Sequence, residues 1–192
     1  MIRLVVIRKH FKTKGFFDGG AVINNNGEEV DLSLLPPFLR TLLVTDGTVT
    51  KTLEAFYWEP IKVVSITQEL VQKPNRITVF DKDEVGQFLH REIELVGQYT
   101  DTSYATADSY ICLSRLPSST AERLIANKIG IGELLRDEGL ESYREIFDFG
   151  VDNSLSENGK TSVETAYRTY VININGVYAI EITERFPIDC YR

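Results

Sequence analysis

The chain has only two cysteines and two histidines, and fewer basic than acidic residues; each shortage closes a class of function. Cys112 and Cys190 form no CxxC pair and no metal-ligand spacing. They read as reduced thiols of an intracellular protein, with a disulfide between them left open. His10 and His90 are isolated along the chain, so no metal site is expected. A net charge of -7 argues against a nucleic-acid partner and against an anionic membrane surface. No apolar run approaches the ~20 residues that a membrane-spanning helix needs. The stretch "MIRLVVIRKHFKTKG" carries Arg3 and Arg8 inside a short apolar run and has no small-residue cleavage site, so it reads as a strand and not as a signal peptide. No Ser or Cys sits in a nucleophile motif. "GIGELL" has two glycines before a helix but lacks the remainder of a phosphate cradle. A cytoplasmic protein acting on a small molecule remains, and a small anion would need a local cluster of arginine or lysine.

What is present is a core. With 192 residues, 43% of them hydrophobic, and no linker, repeat or low-complexity segment, one domain spanning 1–192 is expected. Pro36-Pro37 suits a helix start, with Phe38, Leu39, Leu42 and Leu43 on one face before Asp46-Gly47. "TVTKTLEAFYW" reads as a second helix capped by Thr48. "IKVVSITQELV" reads as a strand, and the segment from Phe88 to Leu116 as two strands around a turn near Asp101. Two helices meeting at Gly130 follow, then the strand "SYREIFDFGV" and the loop "DNSLSENGK". The chain closes on a hairpin with Asn175-Gly176 at its turn. Hairpin-linked strands with helices grouped between them predict an α+β fold built on a mainly antiparallel sheet. Trp58 and the tyrosines are expected in the core and at its rim.

Three charges break the alternation of these strands. In "YAIEITERF", Glu184 shares a side with Tyr178, Ile180, Ile182 and Phe186, while Ala179, Glu181, Thr183 and Arg185 form a plausible solvent face. Arg91 shares a side with Leu89, Ile93 and Leu95, and Arg168 with Tyr170, Ile172 and Ile174. A buried charge without a partner costs several kcal/mol, so each needs compensation. Arg91 and Glu184 pair with each other, line a sheet end that water reaches, or stand at opposite ends of an apolar pocket. In the last case Arg91 would fork onto a carboxylate and Glu184 would hold a hydroxyl, with a small flat ring between them.

From about residue 34 to 188 the chain resembles the chorismate pyruvate-lyase family, in particular its archaeal and cyanobacterial/plastid branch. The resemblance is carried by "PPFLRTLLVTDGTVTKTLEAFYWEPIKV", "LHREIEL", "IGIGELLRDEGLESYREIFDFGV", "YRTYVI" and "ITERFP". It implies a six-stranded antiparallel sheet with helical flaps over a buried ligand site. It also implies a cofactor-independent loss of pyruvate from chorismate, leaving 4-hydroxybenzoate. Arg91 matches the arginine that binds the ring carboxylate, and Glu184 the glutamate that contacts the 4-hydroxyl. Ile131 falls where a flap residue offers its backbone, and Val49 falls where the best-known branch has a methionine. Arg168 is assigned here to the second carboxylate, on the enolpyruvyl group. Glu184 either takes the proton from C4 or only anchors the hydroxyl. The same fold serves effector-binding domains of bacterial transcription regulators, so a non-catalytic sensor of aromatic carboxylates is the competing class. Either product isomer, the 4- or the 3-hydroxybenzoate, and either a quinone or a folate-like coenzyme downstream fit the residues.

Overall fold

The computed structural model describes residues 21–75, 79–80, 86–126, 129–155 and 162–192. The N-terminal strand and His10 of the sequence reading lie outside them. Six strands form one antiparallel sheet: β3 (Ile61–Val71), β4 (Phe88–Gly97), β5 (Ser103–Cys112), β6 (Ser142–Leu155), β7 (Ser162–Ile174) and β8 (Val177–Pro187). Their order across the sheet is β3-β4-β5-β8-β7-β6. A ribbon of β1 (Ala21–Ile23) and β2 (Glu29–Asp31), which the sequence reading did not mark, stands apart. The hairpin from β7 to β8 turns at Asn175 (φ 51°) and Gly176 (φ 83°), as a two-residue turn with both central residues left-handed requires.

Four helices cover one face of the sheet. Helix α1 (Pro37–Val44) opens on proline and α2 runs over Val49–Tyr57. Together they pack Leu39, Leu42, Leu43 and Leu53 against Leu95, Phe149 and Phe186. All four leucines are 1% exposed or less, and each contributes roughly 1.5–3 kcal/mol by leaving water. Helices α3 (Ser118–Ala126) and α4 (Ile131–Asp137) cover the other half, setting Leu124, Leu134 and Leu135 over Ile111, Ile172, Ile180 and Ile182. Two cores thus share one sheet face, and a seam runs between the helix pairs. Thr48 stands at the start of α2, but its side chain makes no capping hydrogen bond.

The far face of β8 corrects the sequence reading. Glu181 and Thr183, expected in solvent, are 1% and 7% exposed. Residues after β3 reach this face: the Val79 amide donates to Glu181 Oε2 at 2.6 Å, and the Tyr110 hydroxyl donates to Asn75 Oδ1 at 2.6 Å, while the Thr183 and Thr169 hydroxyls lie 3.0 Å apart. Phe80, Phe88, Tyr110 and Cys112 bury together in one cluster. Alternation says which side chains share a side; it does not say what covers them. Strand β6 also outruns its expected end by four residues, taking up part of the anticipated loop. Trp58, expected in the core or at its rim, is 88% exposed.

Candidate functional site

Under the seam between the two helix pairs lies a cavity of about 280 Å³. Its floor is the central sheet, with Arg91 from β4, Ser109 from β5, Ile182 and Glu184 from β8, and Tyr170 and Ile172 from β7. Its roof is made by the first residues of α2 and α4, among them Thr48, Val49, Ile131 and Gly132. Arg91, Glu184, Val49 and Ile131, four of the five residues singled out from the sequence, therefore line one cavity. Arg168 does not line it.

Arg91 is 1% exposed. Its Nη1 donates to the Ile129 carbonyl at 3.1 Å, just before α4. Its Nε and Nη2 are buried and have no acceptor among the described residues. Burial pushes the guanidinium below its ordinary pKa. Leaving such donors unpaired costs ~1–3 kcal/mol or more each, so the arrangement is one that gains from an anionic acceptor in the cavity.

Glu184 is not the partner of Arg91. The two strands that carry them are separated by β5, ~10 Å at the backbone. Instead Arg168 lies directly opposite Glu184 in the β7–β8 register, and its Nε donates to Glu184 Oε2 at 2.7 Å. The Tyr170 hydroxyl donates to the other oxygen, Oε1, at 3.1 Å. Burial alone would lower the Arg168 pKa, but the Glu184 carboxylate beside it holds it above its ordinary value. Burial and the same carboxylate push Tyr170 up, so it keeps the proton that it donates. Arg168 further donates Nη1 to the Thr45 carbonyl at 2.7 Å, between α1 and α2. Glu184 is thus compensated by a neighbour on the next strand, and it still lines the cavity.

The sequence reading missed Tyr170 as a partner of Glu184, and it missed Arg144, Ser109 and Gly132 as lining residues. By alternation Arg144 shares its side with Ile146 but also with Ser142 and Asp148, so it did not stand out as Arg91 did. A bulge between Ile146 and Asp148 then switches the face that β6 turns to the core, which hides the pattern. His90, isolated in sequence, is not isolated in space. On the opposite sheet face its Nε2 is 3.0 Å from Asp108 Oδ1 and its Nδ1 3.4 Å from Glu69 Oε1, with Glu92 near. His90, Glu92 and Asp108 could together reach one cation. His90 also stacks on Tyr110 with the rings 4.5 Å apart, which accounts for its burial structurally. No described helix is long and apolar enough to cross a membrane. Cys112 and Cys190 are free thiols.

Comparison with known proteins agrees with this architecture. A solved structure of PhnF from Mycobacterium smegmatis shares the fold, with a TM-score of 0.55 over 76% of this chain and 66% of that one, at 11% identity. A chorismate pyruvate-lyase of Mycobacterium leprae is 32% identical over 107 residues, 56% of this chain. That match spans 51% of the relative, so the likeness extends over about half its length. A protein of Methanocaldococcus jannaschii, named as a provisional lyase, is 29% identical over 154 residues, covering 78% of this chain and 77% of that one. The Rv2949c-like chorismate pyruvate-lyase model matches residues 43–192, which include every cavity-lining residue named above. With its sheet, its roofed cavity and this match, the chain belongs to the Rv2949c-like chorismate pyruvate-lyase family.

Proposed function

We propose that this protein is a cofactor-independent lyase that converts chorismate to 4-hydroxybenzoate and pyruvate. The observation that carries the reading is the pair of charges in one small cavity. Arg91 has two buried donors without acceptors, and Glu184 stands two strands away with its carboxylate fixed by Arg168 and Tyr170. A flat ring with a carboxylate at one end and a hydroxyl at the other meets both. Arg91 forks onto the ring carboxylate, and Glu184 accepts from the 4-hydroxyl. Val49 and Ile131 close over the ring from the two flaps.

The chemistry asks little more of the protein. The ether C–O bond breaks with its electron pair leaving on the enolpyruvyl oxygen, and the ring loses the hydrogen on C4 as a proton. The ring becomes aromatic, and the released enol takes up a proton to become pyruvate. Glu184 is positioned either to receive the C4 proton or to hold the hydroxyl while the side chain's own atoms accept it. The remaining contribution is orientation, exclusion of water and stabilisation of charge on the leaving group. Arg168 is reassigned in this reading from substrate anchor to the group that fixes Glu184.

Titration with 4-hydroxybenzoate tests the site directly. The wild type should bind saturably, and Arg91→Ala should weaken binding by about 100-fold, because a charge-assisted fork is lost. Equal affinity in both proteins would remove Arg91 from the ligand.

A further inference from the structure

The reading above leaves one end of the substrate without a partner. Chorismate is a dianion, and its second carboxylate hangs on the carbon next to the hydroxyl-bearing one, away from the ring carboxylate. Arg168, the sequence-based choice, gives its Nε to Glu184 and its Nη1 to Thr45 and does not line the cavity. Three other cations do line it: Arg144, Arg136 and Lys51. Lys51 is held by Glu54 at 2.7 Å with its side chain 61% exposed, and Arg136 is an exposed residue of α4.

Arg144 differs from both. It rises from β6, four strands from β4, so its backbone stands about 19 Å from that of Arg91 across the cavity floor. Both line the same cavity, with β5, β8 and β7 between their strands. Arg144 is half-buried, and its Nε is buried without an acceptor among the described residues. Its Nη1 donates to the Asp46 carbonyl at 2.6 Å, at the entry to α2. Its Nη2 lies under Gly132, where an added Cβ would come within 3.3 Å of it and 3.2 Å of Thr48 Oγ1. The guanidinium is therefore fixed where the two flap turns meet, and a donor remains unused.

We infer that Arg144 binds the enolpyruvyl carboxylate, so that it discriminates the dianionic substrate from the monoanionic product. The inference rests on the lyase reading. On the same site Arg144 also faces the charge that develops on the leaving enolpyruvate, so it favours departure as well as binding.

The test compares two ligands across two variants. In Arg144→Met, kcat/KM for chorismate should fall about 10- to 100-fold, the value of a charge-assisted hydrogen bond, while affinity for 4-hydroxybenzoate stays at the wild-type level. Arg144→Lys should recover part of the loss. A fall in both quantities together would mean that Arg144 only supports the flaps, and no fall in either would remove it from the site. If the wild type binds 4-hydroxybenzoate but neither binds nor turns over chorismate, the lyase reading fails and takes this inference with it.

Discussion

Charge compensation at single residues separates the structural from the reactive. Glu59 and Glu184 are both buried carboxylates, at 6% and 7% exposure. Glu59 is saturated: it accepts from the Tyr104 hydroxyl at 2.7 Å, the Thr100 hydroxyl at 2.8 Å and the Tyr99 and Thr100 amides. Burial alone would raise its pKa, but these donors hold it down at about 2. A folded pKa below that of the unfolded chain, where Glu sits at ~4.3, means stability that is present above that pH and lost as pH falls toward 2. Glu59→Gln should therefore be less stable than wild type at pH 7 in chemical denaturation. The gap should shrink as pH drops from 4 to 2. A constant gap across that range would show that the side chain acts by shape and not by charge. Glu184, with one oxygen held by an arginine and the other by a tyrosine, lines the cavity instead. The alternation pattern flagged Glu184 and Arg91 because both interrupt an apolar row. It did not distinguish them from Arg168, since which of two breaks faces a cavity depends on neighbours from other strands.

Among the elements, those set by local chemistry were legible in advance. Pro37 at a helix start, the β-branched run of β3 and Asn175-Gly176 between β7 and β8 all appear where their backbone preferences put them. Elements set by distant contact were not. The β1–β2 ribbon is only three residues on a side, too short for periodicity to mark, and it is tied down by the Asn25 amide donating to Asp148 Oδ1 at 2.9 Å. The end of α2 carries a conflict that can be tested. Trp58 follows the helix with φ 57° and ψ 38°, a left-handed conformation that glycine adopts freely and that costs another residue ~1–2 kcal/mol. Its ring is exposed, so little packing is lost with it. Trp58→Gly should raise the melting temperature by about 1–4 °C once the extra chain entropy of glycine is deducted. A lower melting temperature would mean that the indole holds the turn by contacts of its own.

At the scale of the whole molecule, the sheet provides the distances and the helices provide the closure. Two hairpin-built halves, β4–β5 and β6–β7–β8, join through the β5–β8 pairing in an order that spreads Arg91, Glu184 and Arg144 across one face. Three arginines each donate to a backbone carbonyl next to a flap helix: Arg91 to Ile129, Arg168 to Thr45 and Arg144 to Asp46. The residues proposed to read the ligand's charge, Arg91 and Arg144, are thus tied to the turns that roof the cavity. If the same turns cover the product, its release is expected to be slow, and a product-inhibition constant far weaker than the Michaelis constant would contradict that. This coupling was beyond the reach of sequence patterning, because each link joins a strand to a loop far away in the chain. The most direct measurement is incubation of the protein and its Glu184→Gln variant with chorismate, in the absence of added metal or nucleotide, followed by chromatographic identification of products. The account predicts equal amounts of pyruvate and 4-hydroxybenzoate above the spontaneous rate from the wild type, and a slower rate from the variant. Saturable binding of 4-hydroxybenzoate with no turnover of chorismate by the wild type would contradict it and make the cavity a sensor site.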